Sequence, residues 1–489
     1  MTIEKADHAR EKGMALVYVG IFLVPLLLCT GLAVDLGWGY LVRATLAKAV
    51  DAAALAAAKN ITGDDPSQAE RVADNIFDVN FPPGFLGVTP SRPILNITIG
   101  PEGSHVVDVM SDATLPTTFM RLASFDSLTV RANAQATRRL VDMSFVIDRS
   151  GSLGGAYSQV VAAANDFVSS FDRQSDRIAL ITFSSGTTVN DKMSKTRGFD
   201  LDSIKMDINS TTALGATATA EALYQAWDQL RTVPPGSRNG LRVVVLFTDG
   251  SPTSFPGQFQ VMSPLANGHC SSTLSPGVVA GTFSTWDYPG VSGNSSTTDD
   301  PFDLGLFKTY DAGLSSAPPT DWRWYVSPKS TNKQLPNPCI PTLPQQSYHA
   351  LHKSDGIPPA FNLYDSALPH QRVLIGQNPD GSYPSHVQNA NNAARNLAEI
   401  IANAIRNDTD GSDRRTIRIY TLGLGDLLYA PMGSKLETGA SILARIANDP
   451  ASPDHDPAQL DGQFFFAGDP SQLRAAFQTV HDQIFRLTQ

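Results

Sequence analysis

The sequence predicts an α/β protein: a doubly wound, mostly parallel sheet with a long loop-rich insertion, preceded by a transmembrane helix, a helical stalk and a small strand-rich spacer. Three observations predict it. Apolar, β-branched runs alternate with helical stretches from residue 141 onward, residues 252–385 concentrate proline and tryptophan, and a charge-free apolar run stands near the N-terminus. The 489 residues amount to two or three folded units at roughly 100–200 residues each. With 37 Lys and Arg against 47 Asp and Glu, the net charge of -10 argues against a nucleic-acid partner, because a phosphate backbone needs clustered cations. Three cysteines in so long a chain cannot form a disulfide scaffold.

Residues 1–13 form a short polar N-terminus, and residues 14–34 read MALVYVGIFLVPLLLCTGLAV without a charge. At about 1.5 Å per residue that run crosses a hydrocarbon core of about 30 Å, which predicts a transmembrane helix over 14–36. A cleaved signal peptide would have a shorter apolar region of about 7–15 residues and then a break in helicity. Here an Ala-rich stalk follows over 37–61, with small residues that let either its own domain or a partner helix approach closely. Arg10 and Lys12 precede the span while Asp35 comes first after it, which favours a cytoplasmic N-terminus. Cys270 and Cys339 would suit a disulfide in an oxidising compartment, in agreement with that orientation, and Cys29 acts as a small hydrophobe in the span. Over 62–139 the stretches ILNITIG, HVVDVMSDATL and LTVRANAQATR have the period-2 pattern of half-exposed strands and carry no chemical motif.

The body spans 140–489. VDMSFVID, RIALITFSS and LRVVVLFTDGS are near-continuous apolar runs, as strands covered on both faces require, and helical stretches at 157–171 and 218–231 separate them. The insertion, 252–385, holds 18 of the 33 prolines and three of the five tryptophans with no Glu, so we expect a folded, loop-rich segment standing over the end of the strand that bears Asp249. The α/β alternation resumes with helices at 389–407 and 439–449, strands at 415–426 and 462–468, and a last amphipathic helix.

In a doubly wound sheet the ligand site lies beyond the carboxyl ends of the strands. Asp148 and Asp249 both close a strand there and should converge. Two carboxylates without a nearby Lys or Arg raise each other's pKa unless a cation shares them, and Asp, Ser and Thr oxygens suit Mg²⁺ or Mn²⁺. The segments Asp148-Arg-Ser150-Gly-Ser152, Gly215-Ala-Thr217 and Thr248-Asp249-Gly250 resemble the DxSxS, Thr and Asp segments of the metal-ion-dependent adhesion site of von Willebrand factor A domains, which have a Rossmann-like fold. The resemblance implies that Ser150 and Ser152 hold the metal directly, Thr217 directly or through water, and Asp148 and Asp249 chiefly through water. It also implies an open position for an acidic side chain from a protein partner. Ala216 stands where the family usually has a second Gly, which leaves Thr217 and Thr219 as alternative ligands. Arg149 lies at the expected rim, as an acid-selecting group or a solvated one.

The segment GLAVDLGWGYLVRATLAKAVDAAALAAA resembles the N-terminal helix of TadG-like proteins of Tad (Flp-type) pilus assembly. That resemblance implies a single-pass protein of the bacterial inner membrane with a periplasmic body, pilus assembly components as partners and a non-enzymatic role. Tyr18 stands where a prepilin-type site places Glu, so processing before Met14 is not expected. Other readings are a von Willebrand A accessory domain acting with an AAA+ ATPase or chelatase, or a hydrolase whose site lies in the insertion. No GxSxG elbow, P-loop or GxGxxG signal supports catalysis. His349 and His352 lack a matching pair for zinc, and Asp408-Thr-Asp410-Gly411 lacks the later Glu of a calcium loop.

Overall fold

A computed structural model describes residues 4–61, 67–99, 104–261, 277–284, 305–308, 324–326, 347–350, 356–374, 386–409, 417–432 and 437–486. The chain divides between Arg138 and Arg139 into two compact units.

In the first unit, a single helix α1 (Glu4–Lys59) runs through Pro25 and is followed by α2 (Ser67–Asn80) and three strands, β1 (Ile94–Ile99), β2 (His105–Pro116) and β3 (Ser127–Arg138). The strands form an antiparallel sheet in the order β1-β2-β3. Alternation puts Val107, Val109, Ala113 and Leu115 of β2 on the buried face. That face is covered by α1 through Val42, Leu46, Ala49, Val50, Ala53 and Ala57, and α2 packs on α1, its buried residues being Ala69, Ala73 and Phe77. The expected division into a stalk (37–61) and a strand-rich spacer (62–139) is therefore corrected to one α/β core. The small residues of the stalk meet their own sheet, and α2 is a helix that the strand pattern around it concealed.

Above this core the buried face of α1 continues through Gly31 and Asp35. The Asp35 carboxylate accepts the backbone N–H groups of Thr118, Phe119 and Met120 at 3.1, 2.8 and 2.6 Å. Any side chain at Gly31 would collide with Phe119. Upstream of Asp35 the helix exposes apolar residues, among them Ile21, Phe22, Leu26 and Cys29. This is one helix long and apolar enough to cross a membrane.

The second unit opens with β4 (Val141–Asp148), α3 (Tyr157–Val168), β5 (Arg177–Phe183), β6 (Thr187–Asp191), α4 (Leu201–Ser210), α5 (Thr219–Thr232) and β7 (Leu241–Thr248). Short strands follow: β8 (Ser254–Val261), β9 (Gly277–Ser284), β10 (Gly305–Lys308), β11 (Trp324–Val326), β12 (Ser347–His349) and β13 (Ala360–Asn362). The unit closes with α6 (His386–Arg406), β14 (Ile417–Leu424), α7 (Gly439–Ala447), β15 (Gln463–Ala467) and α8 (Leu473–Arg486).

Its main sheet has the order β15-β14-β7-β4-β5-β6, parallel except for β6, which runs antiparallel to β5. Every residue of β4, β5 and β7 is buried, because both faces are covered. On one face Phe145 and Phe247 pack with Phe167 of α3 and Phe477 of α8. On the other, Val146, Val244 and Leu246 meet α5, α6 and α7.

The region 252–385 departs from a plain loop-rich insertion. Its described parts include a four-stranded antiparallel sheet, β11-β10-β9-β8, and the pair β12 and β13. Phe255, Tyr348, Ile357, Leu363 and Leu374 belong to the hydrophobic core of the body, so both ends of the insertion are structural. Cys270 and Cys339 lie outside the described residues.

At the amino ends of the strands a buried ion pair fixes the sheet. Arg177 Nη1 lies 2.8 Å from Asp142 Oδ1, both side chains at most 1% exposed. Arg177 also donates to the carbonyls of Thr196 and Ser237, and Asp142 accepts the N–H of Asn239. Asp142→Ala strands a buried cation and should destabilise the body by about 3–5 kcal/mol in denaturant titrations. Adding Arg177→Met to that variant should recover part of the loss.

Candidate metal centre

Strand β4 is the point from which the sheet grows both ways, toward β5 on one side and β7 on the other. The gap beyond the carboxyl ends of β4 and β7 is therefore the topological switch point. The parallel register sets Ile147 beside Phe247, so the next residues, Asp148 and Thr248, are neighbours. The Thr248 hydroxyl donates to Asp148 Oδ2, and the Ser150 N–H donates to Oδ1 at 2.7 Å. Asp249, one residue past β7, accepts from the Ser152 hydroxyl at 2.8 Å and from the Ser150 hydroxyl at 3.5 Å. The two serine oxygens are 3.1 Å apart.

The third segment is tied to the first by backbone bonds. Gly151 N–H donates to Gly215 O at 2.9 Å, and Leu214 N–H donates to Arg149 O at 2.7 Å. Gly215 has φ +91°, and a Cβ there would lie 2.8 Å from Ser185 Oγ, so the position needs glycine. The next residue needs none: Ala216 is buried and donates its N–H to Ser185 Oγ at 2.8 Å.

A cavity of about 250 Å³ opens over these segments, lined by Ser150, Ser152, Thr217, Ser251, Arg395 and Met432 among others. Thr217 lines it; Thr219, at the start of α5, does not. Arg149, the group expected at the rim, is not among the lining residues, whereas Arg395 of α6 is. No histidine lines the cavity among the described residues, and the hydroxyl of Ser150 faces Ser152 and Asp249 rather than a base.

Asp148 is fully buried and Asp249 is 7% exposed. Burial, and secondarily the charge of Asp249, push the Asp148 carboxyl up to about 7; burial pushes Asp249 up to about 6. The largest influences on the two carboxyls are burial, hydrogen bonds and, for Asp148, the charge of Asp249. No three His, Cys, Asp or Glu side chains converge anywhere among the described residues, so the centre is two carboxylates within a set of hydroxyls. That chemistry fits a hard divalent cation such as Mg²⁺ or Mn²⁺ and does not fit zinc.

Residues 142–269 match the family model of the von Willebrand factor type A domain. The α/β body thus contains a von Willebrand factor type A segment. Residues 13–60 match the putative Flp pilus-assembly TadE/G-like family, so the type A domain follows a TadE/G-like N-terminus. Similar solved structures include the vWF domain of the type V pili tip protein Mfa5 from Porphyromonas gingivalis, at 20% identity over 72% of this chain and 98% of that one, with a TM-score of 0.35. The pilus adhesin SpaC from Lactobacillus rhamnosus GG is 14% identical over 81% of this chain and 34% of its own, with a TM-score of 0.35. The PilB minor pilin from Streptococcus sanguinis is 13% identical over 82% of this chain and 79% of its own, with a TM-score of 0.33. No curated protein matches the chain.

The raised carboxyls fix the sign of a pH effect. The folded pair holds protons that unfolded aspartates release near pH 4, so in chelator its contribution is most favourable below about pH 4 and is lost as the pH rises through 6 to 7. Asp249→Asn should stabilise the type A domain by about 1–2 kcal/mol at about pH 8 in EDTA and flatten the pH dependence of its denaturation midpoint. Equal midpoints for both proteins would show that the carboxylates do not repel.

Proposed function

We propose that this protein is a non-enzymatic, metal-dependent binding component of Tad/Flp pilus assembly or anchoring. The observation that carries the reading is the convergence of Asp148, Ser150, Ser152 and Asp249 at the switch point, under a cavity that Thr217 also lines. The TadE/G-like match supports the pilus assignment and the apolar helix supports an anchor. In this reading residues 14–36 span the inner membrane, the N-terminus is cytoplasmic and the body is periplasmic.

Ser150, Ser152 and Thr217 would hold Mg²⁺ or Mn²⁺ through their hydroxyls, with Asp148 and Asp249 acting chiefly through water. The bound cation supplies neutralising charge and an open position for an oxygen ligand. The chain's own residues do the rest. Thr248 and the Ser150 N–H fix the Asp148 carboxylate, the paired serines aim at Asp249, and the cavity admits an acidic side chain from a protein partner.

The full chain in detergent should bind Mg²⁺ saturably in titration calorimetry. Asp148→Ala should abolish that heat while the circular dichroism spectrum persists. Binding by the variant as strong as by the wild type would refute the site. A periplasm-dependent reporter fused to the C-terminus should be active, and a cytoplasm-only signal would overturn the topology.

A further inference from the structure

Helix α6 carries into the same cavity a cation, Arg395, that has no ion pair among the described residues. Three arginines, Arg372, Arg395 and Arg445, stand around Glu399 and Glu437, with Asp454 beside Arg445. Arg372 takes Glu399 at 2.9 Å and Glu437 at 2.8 Å through Nε. Arg445 takes Glu399 at 2.9 Å, pairs also with Glu437, and reaches Asp454 at 3.4 Å. Each glutamate thus already serves two guanidinium groups.

Arg395 shares in none of these pairs. Only 6% exposed, it makes one hydrogen bond among the described residues, from Nη2 to the Met432 sulfur at 3.3 Å, and its buried Nε has no partner. A thioether is a weak acceptor, and a guanidinium has five donors in a planar fork. The same sulfur also receives the Ser251 hydroxyl at 3.2 Å, so Met432 covers two cavity donors that a stronger acceptor would satisfy better. Burial, and then the neighbouring Arg372 charge, push the Arg395 pKa down to about 10 against the attraction of Glu437 and Glu399, which leaves it cationic at neutral pH. Retaining an unpaired buried charge is expensive unless a ligand pairs it.

We infer that Arg395 is the anion-recognising residue of the cavity, its guanidinium receiving the carboxylate of the acidic side chain that enters beside Ser150, Ser152 and Thr217. The fork geometry matches a carboxylate, and the cavity of about 250 Å³ holds one acidic side chain rather than an extended polyanion. The inference deepens the metal-dependent reading above and rests on it for the identity of the ligand, while the arginine's demand for an anion stands on its own geometry.

The test uses the full chain in detergent at saturating Mg²⁺ and follows 4-fluorobenzoate by fluorine NMR, with 4-fluorobenzamide as the uncharged control. Wild type should bind the acid and not the amide. Arg395→Gln should weaken acid binding at least about tenfold with Mg²⁺ affinity within about twofold, and Arg395→Lys should fall between, a point charge replacing a fork. Arg395→Met should raise the thermal midpoint, since it removes an unpaired buried cation. A lowered midpoint would show a structural role and overturn the inference. So would acid binding that ignores Arg395, or none by a wild type that binds Mg²⁺. A wild type that binds the acid through Arg395 but takes up no Mg²⁺ supports the arginine's role and instead overturns the metal reading.

Discussion

Two buried aspartates repel each other, and the α/β body is built so that they meet all the same. Parallel pairing of β4 with β7 brings their carboxyl ends level, and the burial of both strands on both faces leaves the register no freedom to slip. The chain accepts the repulsion because hydroxyls and N–H groups hold each carboxylate in place without cancelling its charge. Sites that hold like charges together in a dry place are poised for a cation, and the hydroxyl-rich surroundings select a hard one.

The local parts of this centre were legible in the sequence because each is a short segment with its own chemistry. A strand that ends in Asp148-Arg-Ser150-Gly-Ser152 announces both a turn and oxygen donors, and Thr248-Asp249-Gly250 closes a second strand in the same way. What brings them together is the order of strands in the sheet, which the doubly wound pattern predicts. Arg395 was not legible. It sits on a helix beyond a long insertion, surrounded by residues that read as an ordinary amphipathic surface, and only the pairing of Glu399 and Glu437 with Arg372 and Arg445 reveals that it has no ion pair among the described residues. Arg149, adjacent in sequence to the centre, drew attention by proximity alone.

Element boundaries failed where burial overrode composition. Proline density in 252–385 pointed to loops, yet Tyr348 and Leu363 are core residues, since an insertion can contribute apolar side chains to its host wherever its ends run alongside it. Likewise the Ala-rich stretch before the first sheet reads as a stalk open to either its own domain or a partner helix. Its small residues are what a sheet face requires when a helix lies close upon it, and the alternation of β2 is the matching half of that contact. Neither half is visible in a single stretch of sequence.

The junction at Asp35 has a mechanical meaning. The helix of the first unit does not end where its apolar exposed portion ends; it continues as the central member of a packed core. Pulling on it along its axis would load all the contacts from Val42 to Ala57 together, in shear, with the three N–H bonds to Asp35 as the first stop. Strands peeled from an edge yield one hydrogen bond at a time, whereas a buried helix drawn lengthwise must break its whole seam at once. A helix seated this way passes tension to the folded unit while spending little of it on local unravelling.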